Sequence, residues 1–353
     1  MKRFLSFVLI LVMIFCFMLT SCSEDGDVVS SEISSKKTYS DSTSGISQTE
    51  QEGDFTFAFN PYVISNEALQ GMEGNKYYNK FVKAVLNRES SVEIPSQEDY
   101  DNIRFASGEF FPFLTLVDTF GYNTEKKEIY IEYKYKEKEH NQIISDFKAE
   151  IQSIFDECVT NTDDDVMAAM SVYRWIATNI SVVKIETNKK DDEDTVSSSI
   201  SESEEQNDEK IDLFSTLINK KGNEYTIASL YNFLLKQLGI DGKTVSAWVK
   251  NNYRTWNMIC LDDEWYHCDI IKEIEKTEGT GLVYFGLDAK AVKSYISSEK
   301  FYTGEWNWFT EDIPDADDDR FGDFRKVKSW TPSTSRKEIK AFTIDFSNFV
   351  WKI

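Results

Sequence analysis

The chain has 353 residues, a formal net charge of −22 and 14% aromatic residues. This charge argues against nucleic acid as a partner, because the phosphate backbone is bound by patches of lysine and arginine. The aromatic content allows a sizeable core and excludes a globally disordered chain. With two histidines and five scattered cysteines that form no Cys-x-x-Cys pair, we expect no disulfide framework, no bound metal and no cofactor.

The N-terminus has the layout of a secretion signal. Lys2 and Arg3 precede an apolar run over residues 4–19, which is shorter than the roughly 20 residues of a membrane-spanning helix. The next tetrapeptide resembles the lipobox of bacterial lipoproteins, whose cysteine is lipidated and becomes the mature N-terminus: Leu19-Thr20-Ser21-Cys22. The resemblance implies a signal peptide over residues 1–21 and an extracytoplasmic protein attached to the membrane by a lipid on Cys22.

Composition divides the rest of the chain. Residues 22–53 are rich in Ser, Thr, Glu, Asp and Gly, which predicts a disordered tether. Residues 54–140 are interpreted as an N-terminal α/β extension and residues 141–353 as the main domain. Within the main domain, the charged stretch 188–210 predicts a solvated surface loop.

Apolar periodicity predicts alternating strands and helices before that loop. Alternation predicts a strand at Phe55, Phe57 and Phe59 and another over 129–135. Helical spacing predicts helices over 77–86 and 143–158, the second with Cys158 on its core face. A third predicted helix opens at a capping sequence, followed by the apolar stripe of Val166, Met170, Tyr173 and Ile176: Thr162-Asp163-Asp164-Asp165.

A capped helix and three strands follow the loop. Asn223 is a good N-cap for a helix that begins at Glu224 and stops at Gly239. Strands are predicted over 243–250, 254–261 and 264–270, with Asp262-Asp263 as a tight turn between the last two. A two-residue loop places Trp256 opposite Asp269. The fold class predicted is α+β, with a helix packed on an antiparallel sheet.

The segment 222–269 resembles the core of the transglutaminase-like superfamily, relatives of papain-type cysteine enzymes. The resemblance rests on three stretches and on a lead-in helix around residues 173–179: Leu234-Leu235-Lys236-Gln237-Leu238-Gly239-Ile240, Arg254-Thr255-Trp256-Asn257 and Trp265-Tyr266-His267-Cys268-Asp269. In active members, a cysteine at the helix N-terminus is the nucleophile, a histidine on a facing strand is the base, and an acid orients the histidine. The resemblance implies this fold and this arrangement of positions.

The residues at two of those positions differ from the family pattern. Counting from Gly222 and from Ala228, the cysteine position holds Glu224, and the histidine position holds Arg254. Only Asp269 remains. The resemblance therefore implies a pseudoenzyme, with none of its catalytic residues intact except the acid. We expect Arg254 to bridge Glu224 and Asp269 by ion pairs.

The resulting prediction is a cell-surface module that binds a peptide, a glycan or an envelope protein through the former cleft. Trp256, Trp265 and His267 are candidate residues of that cleft. Aromatic residues near the C-terminus are further candidates for a ligand surface, although they more often fill a core: Trp306, Trp308, Phe309, Trp330 and Trp351.

Two enzymatic alternatives stay open. One is acyl transfer by a non-standard thiol, with Cys260 as nucleophile and His267 as base. The other is glycan hydrolysis by Glu224 and Asp269 as a carboxylate pair, although Arg254 between them is expected to lower the pKa of both. The acidic run 315–319 lacks the glycine and the distal glutamate of a calcium loop, so we interpret it as a solvated surface.

Overall fold

The computed structural model describes residues 55, 57–61, 75–160, 163–183, 211–249, 252–296, 302–303 and 313–326. All of them belong to one compact unit, Glu52–Ile353. The predicted signal peptide, the predicted tether, the charged stretch 188–210 and the candidate aromatic residues near the C-terminus all lie outside the described residues. Within the described ranges, no helix has the length and apolar character needed to cross a membrane.

The first described elements form a small sheet flanked by helices. Helix α1 (Asn75–Leu86) precedes β1 (Ser91–Glu93), and α2 (Gln97–Phe110) leads through a 3-10 turn to β2 (Val117–Asn123) and β3 (Glu128–Tyr133). The three strands pair antiparallel in the order β1-β3-β2. Tyr78, Phe81, Val82 and Val85 of α1 are fully buried, as the 3.6-residue spacing of its apolar positions requires.

Helix α4 (Asp165–Asn179) packs against both α3 (Glu137–Cys158) and α6 (Glu224–Gln237). Between α4 and α6, β4 (Ser181–Val182) pairs in parallel with β5 (Lys221–Gly222), and α5 (Leu213–Asn219) precedes β5. Cys158 lies on the buried face of α3 with 5% of its surface exposed, which confirms its predicted place in the core.

The second sheet has four antiparallel strands in the order β8-β7-β6-β9. They are β6 (Gly242–Val249), β7 (Asn252–Leu261), β8 (Glu264–Cys268) and β9 (Tyr302–Thr303). Asp262 and Asp263 both have positive φ, 53° and 66°, as a two-residue hairpin turn needs. The register pairs Leu261 with Glu264 and Asn257 with Cys268, which confirms the predicted hairpin.

This sheet separates two groups of buried side chains, because successive residues of a strand point to opposite faces. On one face, Ile259, Tyr266 and Cys268 join the core that also contains residues of α3, α4 and α6. On the other face, Trp256 and Met258 pack with Leu287 and with Val292, which belongs to α8 (Ala289–Lys293). The predicted α+β class, with a helix packed on an antiparallel sheet, is confirmed.

Three local predictions are wrong. The described residues 55 and 57–61 include no strand; Phe55 and Phe57 instead pack edge-on against Phe155. The N-cap of α4 is Asp164, whose side chain accepts from the Met167 N–H, because a carboxylate one residue before the helix reaches the free N–H groups directly.

The third concerns the end of β8, which was expected to continue to residue 270. The strand stops at Cys268, and Asp269 becomes the N-cap of α7 (Ile270–Thr277) by accepting from the Lys272 N–H at 2.9 Å. The reason is local: Ile270, Ile271 and Ile274 follow helical spacing, and an aspartate before them favours a helix start.

Candidate functional site

Glu224 occupies the first turn of α6, and its environment is set by the cap that starts the helix. The Asn223 side chain accepts from the Thr226 N–H, and the Thr226 hydroxyl accepts from the Asn223 N–H, which forms a reciprocal capping box. Glu224 therefore lies at the positive end of the helix dipole, where a carboxylate is stabilised. Its side chain is 29% exposed, so it is the most accessible of the three candidate residues.

Arg254 projects from β7 and contacts both carboxylates. Its Nε is 2.9 Å from Oε1 and 3.1 Å from Oε2 of Glu224, and its Nη2 is 3.7 Å from Oδ2 of Asp269. The Thr255 N–H donates to Glu224 as well, at 3.2 Å. Burial disfavours the charged guanidinium, but Asp269 and Glu224 raise the pKa of Arg254 above its usual value. The guanidinium is therefore held as a cation between two acids.

Asp269 is the buried member of the group, with none of its side chain exposed. Its Oδ1 caps α7, and its Oδ2 accepts from the Tyr295 hydroxyl at 3.3 Å. Burial raises the pKa of Asp269 to about 6, against the opposing effect of Arg254. We refer to Glu224, Arg254 and Asp269 below as the ion triad.

The pKa values of the two carboxyl groups differ from the expectation. Arg254 was expected to lower the pKa of both, but the pKa of Glu224 is raised, as is that of Asp269. Burial is the largest influence on each, because removing a carboxylate from water disfavours its charged form more than one shared guanidinium favours it.

Trp256 of β7 and His267 of β8 contact each other. The Trp256 Nε1–H donates to His267 Nδ1 at 3.1 Å, and the two side chains are 2% and 1% exposed. Burial lowers the pKa of His267 to about 4, so its ring is neutral at physiological pH. Trp265 is half-buried, with the Lys243 ammonium 4.7 Å from the centre of its ring.

The thiols of the hairpin are not activated. Cys158, Cys260 and Cys268 are all free. Cys268 is fully buried, accepts from the Gly286 N–H at 3.5 Å, and has its pKa raised by burial to about 12. Burial also raises the pKa of Cys260, and nearby carboxylates add to the effect. A reactive thiol needs the opposite shift, because only the thiolate is the nucleophile.

The acidic run at 315–319 is more than a solvated surface. Asp318 accepts from the Tyr266 hydroxyl and lies 3.7 Å from Nε of Arg320, while Arg320 also pairs with Asp262 at 2.8 Å. The expectation of a uniformly solvated run is therefore wrong at Asp318. Among the residues described here, no group of His, Cys, Asp and Glu side chains has the arrangement of a metal site.

The sequence did not predict the two tyrosines that hydrogen-bond to Asp269. Tyr295 binds its carboxylate, and the Tyr173 hydroxyl lies 3.3 Å from its carbonyl oxygen. The helix that Asp269 caps was also missed, although Asp269 followed by isoleucines at helical spacing was a usable signal. Nothing in the sequence pattern connects Tyr295 with Asp269.

Comparison with solved structures finds a distant similarity. A solved structure of a proposed cysteine protease from Cytophaga hutchinsonii is similar at 13% identity, with a TM-score of 0.25. The similarity covers 35% of this chain and 37% of that protein, so this chain spans well under half of the neighbour's length. The comparison with curated proteins finds no match.

A match to a family profile is more informative. Residues 152–270, about a third of the chain, match the profile of the transglutaminase-like superfamily. The matched range begins within α3, ends at the first residue of α7, and contains all three residues of the ion triad. The chain therefore contains a transglutaminase-like domain.

Proposed function

We propose that this transglutaminase-like domain does not catalyse acyl transfer and acts as a binding module at the cell envelope. One observation carries the proposal: Arg254 joins Glu224 and Asp269 by ion pairs at the positions that the family resemblance assigns to nucleophile, base and acid. A glutamate in place of a thiol is a poor nucleophile, and a guanidinium held by two acids does not accept a proton. The ligand class is a peptide, a glycan or an envelope protein.

The two enzymatic alternatives gain no support from the geometry. Acyl transfer by Cys260 needs a thiolate and a base, but the Cys260 pKa is raised and His267 Nδ1 accepts from Trp256. Glycan hydrolysis needs two carboxyl groups that reach the scissile bond. Asp269 is fully buried behind Arg254, so only Glu224 reaches the surface.

An activity assay tests the proposal. We expect the purified protein to show no amine incorporation and no amide hydrolysis with glutamine-containing peptides, and no release of reducing sugar from wall glycan. The double variant Glu224→Cys, Arg254→His restores the residue types of active relatives and is the matched comparison for the acyl-transfer assay. If the wild type is active in the acyl-transfer assay and Cys260→Ala is not, the thiol alternative is established. Sugar release that Glu224→Gln abolishes would establish the carboxylate alternative.

We further propose that the domain is held outside the cytoplasm by a lipid on Cys22. The supporting observation is the signal-like N-terminus that ends in Leu19-Thr20-Ser21-Cys22. We expect the wild type to incorporate a clickable fatty-acid analogue and to sediment with membranes, because several acyl chains anchor far more firmly than one. Cys22→Ala should lose the label, whereas Cys16→Ala should keep it. Equal labelling of wild type and Cys22→Ala would refute the anchor.

A further inference from the structure

A pocket of about 590 Å³ lies between the small sheet and α5, and none of its lining residues belongs to the ion triad. Its volume falls in the range of roughly 300–1,000 Å³ that is typical of sites for small ligands. One wall comes from the start of β2 and the segment after β3, and the other from α5. The pocket is therefore separate from the proposed cleft.

Two opposite charges line this pocket without a partner in the described part of the chain. Asp118 and Lys134 both line it and are both exposed. Neither side chain makes a hydrogen bond or an ion pair with any described residue, and they do not pair with each other. Elsewhere at the surface, Lys220 pairs with Glu150, and Arg320 pairs with Asp262. A third charged residue, Asp212, lines the pocket as well, and its Oδ1 caps α5 by accepting from the Ser215 N–H. Asp118 and Lys134 are thus the anion and the cation of the pocket that no described side chain binds.

The backbone around Asp118 is irregular in a way that directs its side chain. Val117 pairs with Tyr133 and Thr119 with Glu132, so the register shifts between them and Asp118 is the extra residue of a β-bulge. Bulges change the direction of a side chain on a strand and are frequent beside functional sites. The bulge places Asp118 on the wall of the pocket instead of in the regular pairing.

Apolar groups form the rest of the contact surface. Ile218 of α5 is 40% exposed, which makes it one of the few exposed large hydrophobic residues among those described. Phe120 and Phe214 are partly buried beside it and also line the pocket. Phe214 is stacked on Phe147 with ring centres 5.2 Å apart, so the core holds this wall in place.

We propose that the pocket binds a free di- or tripeptide with an apolar side chain. The peptide carboxylate pairs with Lys134, its terminal ammonium pairs with Asp118, and its side chain packs on Ile218, Phe120 and Phe214. An extended peptide of this length is roughly 7–10 Å long, which suits a pocket of this volume. A phosphate-bearing ligand fits less well, because the pocket is lined by one lysine and two aspartates, and by no arginine.

Calorimetric titration with three tripeptides tests this assignment. The peptides are Ala-Leu-Ala with free termini, its N-acetylated form and its C-terminal amide, each titrated into the purified protein. We expect binding of the free peptide, and a loss of about fivefold in affinity on amidation or in Lys134→Ala, as for one exposed ion pair. Because both changes remove the same contact, amidation should cause no further loss in Lys134→Ala. N-acetylation and Asp118→Ala should each weaken binding about fivefold as well, and N-acetylation should cause no further loss in Asp118→Ala.

Two variants outside the pocket serve as controls. Lys138→Ala and Glu132→Ala alter exposed charges outside the pocket and should leave the affinity unchanged. Ile218→Ser should weaken binding of Ala-Leu-Ala more than that of Ala-Gly-Ala. The proposal is wrong if no tripeptide binds at millimolar concentration, if the losses from Lys134→Ala and amidation add, or if free leucine binds as tightly as the tripeptide.

Discussion

Replacing Arg254 with methionine should lower the free energy of unfolding by about 3 kcal/mol at pH 8, the lower end of the range for breaking a buried ion pair. The reason is that Asp269, which has no exposed side-chain surface, would remain charged beside Glu224 without its cation. Glu224→Ala should lower the free energy of unfolding by a smaller amount, because Arg254 stays paired with Asp269 and is itself 18% exposed. Urea denaturation followed by tryptophan fluorescence measures both effects.

The loss should depend on pH with a definite sign. In the folded protein the Asp269 pKa is raised from 3.8 to about 6. The proton on Asp269 therefore favours the folded state below about pH 4, and this contribution is lost as pH rises through 6. Without Arg254 the folded-state pKa rises further, so the destabilisation of Arg254→Met should be small at pH 4 and should grow towards pH 8.

Two variants separate this explanation from a general effect of the substitution. Arg104→Met removes an exposed arginine of α2 and should leave stability nearly unchanged. The double variant Arg254→Met, Asp269→Asn should recover part of the loss at pH 8, because asparagine still caps α7 and carries no charge. An equal loss at pH 4 and pH 8, or no recovery in the double variant, would contradict the role assigned to Asp269.

Gly279→Ala should be at least as damaging, with a loss of about 3 kcal/mol or more in the free energy of unfolding. Gly279 follows α7 with φ of +71°, and a Cβ there would lie 2.1 Å from the carbonyl oxygen of Ala177 in α4. The Ala177 oxygen is a backbone atom of α4 and cannot rotate away as a side-chain atom could, so the segment after α7 would have to move away from α4. Because Asp269 is the N-cap of α7, a movement of α7 would also shift the ion triad.

A second glycine provides the matched control. Gly239 ends α6 with φ of +79°, but a Cβ there would meet nothing within 4 Å. Gly239→Ala should therefore cost only the backbone strain, about 1 kcal/mol. The difference between the two variants measures the helix–helix clash alone. Equal losses in thermal or urea denaturation would show that the close approach of α7 to α4 has no energetic weight.

The site was largely predictable because its geometry follows from local patterns. Asn223 before an apolar helical stripe places Glu224 at a helix N-terminus, and two aspartates between alternating strands set the register of the hairpin. These patterns depend on residues close in the chain, whose spacing decides the structure almost independently of the remainder. The hairpin register places Arg254 near Asp269, whereas its position beside Glu224 was what the family resemblance implied.

The pKa values were not predictable, and the shifts of Glu224 and Asp269 were both predicted with the wrong sign. Charge pairing can be read from residue types, but the exposed fraction of Asp269 depends on α7, Tyr295 and the strands around it. Those elements come from distant parts of the chain and bury the carboxyl group completely. Desolvation then outweighs the pairing with Arg254, a balance that no local pattern contains.

The amino-acid sequence alone determined the helix that starts at Glu224, the hairpin register and the α+β class, because capping, turn geometry and periodicity act over a few residues. Only the tertiary structure decided that Asp269 is buried, and that Trp256 donates to His267. It also decided that Asp118 and Lys134 share a pocket with α5, about 80 residues further along the chain. Burial and long-range proximity are properties of the packed chain, since each depends on which distant segments exclude water from the same place.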